Sequence, residues 1–200
     1  MNEIIPLVLV DRSIDSDRIL QVWIDNVDGA FQAVEYLIKL GHRRIGFLTG
    51  PQDVQNSFRR EEGYRRALKK HRIPFDRDLV LIGDFYLETG QKKFDTFFSI
   101  KPKPTAIFAS NDLMALGLMK RAKERGLKIP NDLSIIGFDD IFLASMTDPP
   151  LTTVCHPTVE MGIKAIGRFL DRLDDIENSP LNNNLANHLI IRGLTKSIIE

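Results

Sequence analysis

Polar side chains follow directly after several short apolar runs of this sequence, and their types suit ligand binding. Carboxylates accept hydrogen bonds from two hydroxyl groups, carboxamides both donate and accept, and an aromatic ring can cover the apolar face of a sugar. We therefore predict a binding site for a neutral polyhydroxylated ligand. The residues that follow the apolar runs are Asp11, Arg12, Thr49, Gly50, Pro51, Asp84, Phe85, Ser110, Asn111, Asp112, Asp139 and Asp140.

Helix capping is the alternative explanation for the same polar residues. Asn111 or Asp112 precedes the segment LMALGLMKRAKERG, and Asp139 or Asp140 precedes the next predicted turn. Asn and Asp are favoured at helix N-caps because their side chains accept hydrogen bonds from the free N–H groups of the first turn. Both interpretations stay open for each of these residues.

Sequence motifs of known enzymes are absent. No GxxxxGK[ST], GxGxxG, GxSxG or HExxH pattern occurs. Asp139 and Asp140 could bind magnesium or act in acid–base catalysis, yet adjacent side chains usually point in different directions. A single cysteine and four scattered histidines give no zinc-ligand spacing: Cys155, His42, His71, His156 and His188. We therefore expect no enzymatic activity, no metal site and no cofactor.

Composition and charge limit the function classes further. The 200 residues carry 27 basic and 27 acidic side chains, and 43% are hydrophobic, which is typical of a globular chain of one large or two small domains. Without a net positive field, we expect no binding of nucleic acid by this chain alone and none to an anionic membrane. The lone cysteine and the missing signal and membrane-spanning patterns predict a cytoplasmic location.

Strand-like and helix-like segments alternate along the chain. A strand that is apolar on both faces is typical of a parallel sheet, and parallel strands need crossover connections, which are usually helices. The alternation therefore predicts an α/β fold with helices on both faces of the sheet. Predicted strands lie at 4–10, 45–48, 79–82, 105–109, 133–138 and 189–191, predicted helices include 30–40 and 159–173, and the polar segment 171–187 is predicted to be a loop.

The predicted helix that begins at Leu113 is apolar on every side, unlike the one-sided helix at 30–40. A helix that is apolar all round is buried all round. One face must contact its own sheet. The other face, with Leu116 and Met119, is covered either by the same chain or by a second subunit, and the sequence alone does not decide between them.

Several longer blocks resemble the effector-binding domain of LacI/GalR-type bacterial transcriptional regulators. The resemblance extends from about Ile4 to Thr195, and the blocks occur in the family's order and spacing. They are IPLVLVDR, DNVDGAFQAVEYLIKLGHRRIGFLTGP, FRREEGYRRAL, PTAIFASNDLMALGLMKRAKERGLKIPNDLSIIGFDDI, PPLTTVCHPTVEMGIKAI and LIIRGLT.

The resemblance implies a type I periplasmic-binding-protein-like fold: doubly wound parallel sheets in two subdomains, with a small effector in the cleft between them. Segments 1–41 and 156–192 correspond to the N-terminal subdomain, and segments 42–154 and 193–200 to the C-terminal one. Family members carry a DNA-binding helix-turn-helix head, a hinge helix and several βα units before IPxVxxDR. These are absent from the 200 residues, so we expect the first subdomain to be incomplete.

Carried over by position, the resemblance assigns six residues to the effector site and three to a dimer interface. His156 stands where the family often has Gln, which leaves the ligand's identity open. The implied function is the effector-sensing and dimerising core of a transcriptional regulator, which binds a sugar or similar metabolite and controls DNA binding by an N-terminal head. The alternatives are a free-standing sugar-binding protein and a small α/β metal-dependent enzyme that uses Asp112, Asp139 and Asp140. The effector-site residues are Asp28, Arg60, Phe85, Asn111, Asp139 and His156, and the interface residues are Leu113, Leu116 and Met119.

Overall fold

The computed structural model describes residues 7–12, 14, 16, 19–173 and 182–199, and it has the predicted α/β architecture. In chain order the elements are β1 (Val8–Val10), β2 (Leu20–Ile24), α1 (Asn26–Lys39), β3 (Ile45–Thr49), α2 (Gln55–Lys70), a 3₁₀ turn (Arg77–Leu79), β4 (Val80–Ile82), α3 (Leu87–Ser99), β5 (Ala106–Ala109), α4 (Asp112–Glu124), β6 (Ser134–Asp139), α5 (Phe142–Met146), β7 (Thr152–Cys155), α6 (Thr158–Leu173), β8 (Asn182–Leu185) and β9 (Leu189–Ile190).

The chain divides into two compact units. The smaller unit comprises Met1–Asp25 with His156–Asn187, and the larger unit comprises Asn26–Cys155 with His188–Glu200. In the smaller unit, β1, β2 and β8 form a parallel sheet in that order. Helix α6 lies against this sheet and buries Met161 and Ala165.

The larger unit contains a six-stranded sheet in the order β4-β3-β5-β6-β7-β9. Its strands are parallel except β9, which pairs antiparallel with β7. Phe47 of β3 and Phe108 of β5 lie opposite each other and stack, and Tyr64 of α2 stacks on Phe47. The neighbouring residue Leu48 joins the core on the other face, with α3 and α4. The strands are therefore buried on both faces, as predicted.

Helix α1 belongs to the larger unit, although the sequence placed residues 1–41 in the first subdomain. Its partner is α2, and the two helices approach closely at Gly63. A Cβ atom at that position would lie 2.2 Å from the carbonyl oxygen of Val27, so only glycine permits the contact. The structure therefore moves the boundary from residue 41 to Asp25.

The last segment of the chain also belongs to the larger unit. Leu194 is fully buried in its core, and its carbonyl oxygen accepts a hydrogen bond from the Ile135 N–H at 2.9 Å. The buried His42 ring lies 3.1 Å from the Lys196 carbonyl oxygen. The predicted boundary at residue 192 is thus replaced by one after Asn187.

The predicted polar loop at 171–187 is partly wrong. Helix α6 continues to Leu173, and residues 182–185 form β8, which pairs with β2. Asparagine has a low strand propensity, so the NNNL segment carries little strand signal of its own, and pairing with an apolar neighbour decides its conformation. Residues 174–181 lie outside the described part of the chain.

None of the helices among the described residues is long and apolar enough to cross a membrane.

Candidate functional site

The parallel strands of the larger unit bring several polar side chains to one edge of its sheet. Strands β3, β4, β5 and β6 are parallel and end at Thr49, Ile82, Ala109 and Asp139, so the segments that follow them lie at the carboxyl edge. Ligands of open α/β sheets bind at this edge. Four of the predicted site residues lie on these segments or on the helix that faces them: Arg60, Phe85, Asn111 and Asp139.

Arg60 of α2 organises the carboxyl edge. Its Nε donates to the Asn26 side-chain oxygen at 2.8 Å, its Nη1 donates to the Ser110 carbonyl oxygen, and its Nη2 lies 3.4 Å from Asp139 Oδ1. The guanidinium carbon lies 3.7 Å above the centroid of the Phe138 ring. Only 4% of the Arg60 side chain is exposed. A buried cation held by three acceptors and a ring has one available conformation.

Asn26 is a member of this cluster that the sequence did not identify. It is the first residue of α1 and is buried, and its Nδ2 donates to Asn56 Oδ1 at 3.3 Å. An asparagine at a helix N-terminus is typical of capping, so its type and position gave no sign of a side-chain contact with α2. The acceptor that it offers to Arg60 depends on the close contact between α1 and α2.

Asp139 and Asp140 both have left-handed backbone conformations, with φ of 110° and 53°. Their side chains diverge: Asp139 faces Arg60, and Asp140 Oδ1 lies 2.7 Å from Arg192 Nη2. Helix α5 has Ile141 at its N-cap, without a side-chain capping bond. Neither carboxylate therefore caps the following helix. Because left-handed backbone is costly for residues other than glycine, these contacts must outweigh the strain.

Asn111 caps α4, as the alternative interpretation predicted. Its Oδ1 accepts from the Met114 N–H at 3.0 Å, while its Nδ2 donates to the Phe85 carbonyl oxygen at 2.8 Å. The same side chain thus stabilises the helix N-terminus and holds the backbone at Phe85. That backbone is also left-handed, with φ of 70°.

The Phe85 ring lies over Gly50 beside the Ser57 hydroxyl. A Cβ atom at Gly50 would be 2.1 Å from Phe85 Cζ and 2.5 Å from Ser57 Oγ, so the glycine is needed for this packing. The buried hydroxyl oxygens of Ser57 and Ser110 have no hydrogen-bond partner within the described part of the chain. Buried polar atoms are normally satisfied, and an unsatisfied one at a site calls for a bound partner.

Asp112 is fully buried at the start of α4. It accepts a hydrogen bond from Thr153 Oγ1 at 2.6 Å and from the Ile141 N–H at 2.9 Å. Burial raises the pKa of this carboxyl to about 7, even though both hydrogen bonds act to lower it. Asp112 thus connects α4 to strand β7 and to the segment that follows β6.

Two of the predicted site residues lie away from the Arg60 cluster. Asp28 is exposed on the first turn of α1, where its Oδ2 accepts from Gln32 Nε2 at 2.6 Å. His156 belongs to the smaller unit, and its Nε2 lies 3.4 Å from Asp11 Oδ1 and 3.1 Å from the sulfur of Met161. Their assignment to the effector site stays a prediction.

Helix α4 is covered mostly by its own unit. Met114, Ala115 and Leu118 are fully buried, and Met119 is 7% exposed, whereas Leu113 and Leu116 are half-buried. Leu116 and Met119 line an open apolar hollow of about 500 Å³ together with Leu143 and Met146 of α5. Two of the three predicted interface residues, Leu116 and Met119, therefore border a surface that the larger unit leaves partly uncovered, whereas Leu113 does not line this hollow.

Metal binding finds no support in the part of the chain that the structure describes. There, no group of three or more His, Cys, Asp or Glu side chains is placed to hold a metal ion. The adjacent Asp139 and Asp140, considered above as magnesium ligands, instead contact different arginines.

Comparisons with known proteins agree with this architecture. A family model described as a periplasmic binding protein-like domain matches residues 34–195. The HTH-type transcriptional repressor CytR of Escherichia coli K12 is 39% identical over 193 residues, which cover 96% of this chain and 57% of CytR. The chain therefore spans little more than half the length of this relative.

Solved structures give the same result. A sugar-binding transcriptional regulator of the LacI family from Escherichia coli, complexed with phosphate, is 36% identical with a TM-score of 0.89, covering 96% of this chain and 69% of that one. The regulator CelR in complex with cellobiose is 33% identical with a TM-score of 0.86, covering 94% and 58%. These relatives are transcriptional regulators and not enzymes. The chain belongs to the periplasmic binding protein-like domain family and, within it, to the LacI-family regulators.

Proposed function

We propose that the chain is the effector-sensing core of a LacI-type transcriptional regulator and binds a sugar or similar small metabolite. The proposal is supported by the Arg60 cluster, in which a buried guanidinium holds the Asp139 carboxylate at the carboxyl edge of the larger unit's sheet. The Asp139 side chain is 27% exposed, so it retains surface for a ligand. A carboxylate fixed in this way accepts hydrogen bonds from ligand hydroxyls without an entropic cost of ordering its side chain.

The neighbouring groups complete a surface suited to a polyhydroxylated ligand. The half-buried Phe85 ring offers an apolar face, and the exposed part of Asp139 offers carboxylate oxygens that accept hydrogen bonds. Cellobiose bound to CelR, a relative with the same fold, supports the sugar class without naming the effector of this chain.

Control of DNA binding is the second part of the proposal. The name of CytR describes an HTH-type repressor, and this chain aligns with 57% of it. We assign DNA recognition in the whole cytoplasmic protein to an N-terminal head of that type and effector sensing to these residues. Their balance of 27 basic and 27 acidic side chains supports this division, because duplex affinity depends on neutralised phosphates.

The ligand assignment is tested by replacing Asp139 in the full-length protein. A thermal-shift screen of monosaccharides and disaccharides, cellobiose included, first identifies a ligand, and calorimetry then measures its affinity. Asp139→Asn should weaken binding by roughly tenfold or more, because a buried site loses about 1–3 kcal/mol with one polar partner. Its melting temperature should fall only modestly, because the asparagine side-chain oxygen can still accept a hydrogen bond from Arg60 Nη2.

Asp140→Asn is the matched control. It removes the adjacent carboxylate and its pair with Arg192, so it should lower the melting temperature and leave the ligand affinity unchanged. If Asp139→Asn lowers the melting temperature and keeps full affinity, Asp139 has a structural role and the proposed site is wrong.

Homodimerisation through the hollow beside α4 is the third part. Phe142, Leu143 and Met146 are 77%, 50% and 65% exposed there, and such contiguous apolar surface is typical of an interface. Leu116→Glu should shift sedimentation toward the monomer without unfolding the chain, because Leu116 is only half-buried in its own unit. Unchanged association would place the interface elsewhere.

A further inference from the structure

A second polar cavity lies at the opposite edge of the larger unit's sheet. It has a volume of about 660 Å³ and is formed by the segments that precede β3, follow α2 and precede β4. Because β3 and β4 are parallel, these segments lie at the amino ends of the strands, roughly 16 Å from the carboxyl edge for a strand of five residues. The cavity is therefore separate from the Arg60 cluster.

The lining of this cavity is strongly basic. It includes four arginines and a histidine but one carboxylate: Arg43, Arg44, Arg72, Arg77, His71 and Asp76. Asp76 is engaged by Arg44, whose Nη1 lies 3.1 Å from Asp76 Oδ2 and whose Nε donates to the Pro102 carbonyl at 2.9 Å. The His71 Nε2 lies 3.0 Å from Glu35 Oε1.

The other three arginines keep their donors unused. Among the residues that the structure describes, the side chains of Arg43, Arg72 and Arg77 form no hydrogen bond, ion pair or ring contact, and all three are exposed. Three like charges around one hollow repel each other, and the carboxylate beside them is already paired. The cavity therefore carries a net positive charge that attracts anions.

The backbone at Arg72 gives independent support. Helices α1, α2 and α4 all end in the same pair of hydrogen bonds, made by the residue in left-handed conformation and the residue after it. At α1 and α4 that residue is glycine, Gly41 with φ of 97° and Gly126 with φ of 76°. At α2 it is Arg72, with φ of 55°. Glycine is the less strained choice for this position, so the arginine at the cavity adopts a backbone conformation that costs free energy.

The cavity also has an apolar side. Ile73, Phe75 and Leu79 contribute to its lining, and the Phe75 ring is held by the Arg65 guanidinium, whose carbon lies 3.6 Å from the ring centroid. A hollow of this volume with an apolar wall and a few convergent charged groups is the usual form of a small-molecule site.

We propose that this cavity binds a small phosphorylated metabolite that carries at least two negative charges. Guanidinium groups match phosphate oxygens because their planar donors form two parallel hydrogen bonds. Three of them around one hollow favour a diphosphate or a doubly charged phosphate over a singly charged carboxylate. The regulator would thus sense a second, anionic signal, and this assignment does not depend on the identity of the ligand at the carboxyl edge.

Pyrophosphate is the probe for this site, titrated into the intact chain by calorimetry at low salt, with orthophosphate as the weaker comparison. We expect measurable pyrophosphate binding that decreases with added sodium chloride. The double variant Arg43→Gln, Arg77→Gln should weaken it by roughly tenfold or more, since each charged hydrogen bond contributes strongly. Arg72→Gly should weaken it by about threefold or more while the melting temperature stays the same or rises, because glycine relieves the backbone.

Arg66→Gln is the control, since it removes an exposed arginine of α2 that lies outside the cavity and pairs with Glu62. Its pyrophosphate affinity should equal that of the parent chain. The proposal is overturned if pyrophosphate does not bind at millimolar concentration, or if the double variant binds as well as the parent. An equal loss with Arg66→Gln would also overturn it, because the attraction would then be a general property of surface charge.

Discussion

The two edges of the larger unit's sheet carry arginines that differ in burial and in hydrogen bonding. At the carboxyl edge one guanidinium, that of Arg60, is buried and held by Asn26, Ser110, Asp139 and the Phe138 ring. At the amino edge three guanidinium groups are exposed and unpaired among the described residues. A charge can be buried only when its surroundings replace its water, whereas an exposed charge keeps its hydration.

This difference distinguishes an arginine that positions another side chain from arginines that bind a ligand directly. The guanidinium of Arg60 already contacts protein acceptors, so it contributes to a ligand site by fixing the position of Asp139. The side chains of Arg43, Arg72 and Arg77 donate no hydrogen bonds to the described residues, so they are able to contact an anion directly. Removing Arg60 should therefore affect folding first, while removing the others should affect binding alone.

Arg60→Met gives the largest expected effect. Methionine fills part of the volume but leaves the Asn26 oxygen, the Ser110 carbonyl and the Asp139 carboxylate without their donor. We expect the free energy of unfolding to decrease by roughly 2–4 kcal/mol, as for other broken buried pairs. Urea denaturation followed by circular dichroism measures it.

Arg77→Gln is the control from the other edge, and its effect should lie within about 0.5 kcal/mol, because the side chain is exposed and makes no contact among the described residues. If the two substitutions cost the same, the distinction between the two edges is wrong.

The pH dependence of stability gives a smaller effect at the carboxyl edge. Burial raises the pKa of Asp112 from 3.8 to about 7, so the folded chain binds a proton more tightly than the unfolded chain does. Stability from this group is therefore greatest at low pH and is lost as the pH rises through about 7. Between pH 5 and pH 8 the loss should be about 2–3 kcal/mol.

Asp112→Asn isolates that contribution. The amide can accept from the Ile141 N–H and donate to Thr153 Oγ1, so both contacts are kept without a titrating group. Burial lowers the pKa of His42, which makes stability rise with pH and opposes the Asp112 effect. Subtracting the unfolding free energy of the variant from that of the parent at each pH removes the His42 contribution, which both chains share. A difference that is constant between pH 5 and pH 8 would show that Asp112 stays charged throughout.

Hydrophobic patterning was sufficient to predict the fold class. Continuous apolar runs such as the one around Phe47 are typical of parallel strands buried on both faces, and this burial is observed. Strands β2, β7 and β8 were missed. Strand β8 (NNNL) has little strand propensity of its own, and its conformation depends on pairing with β2, whereas β2 (LQVWI) and β7 (TTVC) do contain strand-forming residues.

The site was only partly accessible from the sequence. Arg60 and Asp139 come from motifs in two separate blocks, and the structure does bring them together. Asn26 was missed, because its role depends on how closely α1 approaches α2. The left-handed backbone of Asp139 and Asp140 was also missed, since neither residue type requires it and only the surrounding contacts impose it.

The buried C-terminal segment has a consequence for how the chain folds during synthesis. Leu194 completes the core of the larger unit, and β9 forms an edge of its sheet, yet both leave the ribosome after the whole of the smaller unit's last segment. Domains usually fold as units as they emerge. Here the larger unit cannot complete its sheet at β7 until residues 189–194 have been translated. Nascent chains that pause before residue 189 should therefore be the ones that most need a chaperone.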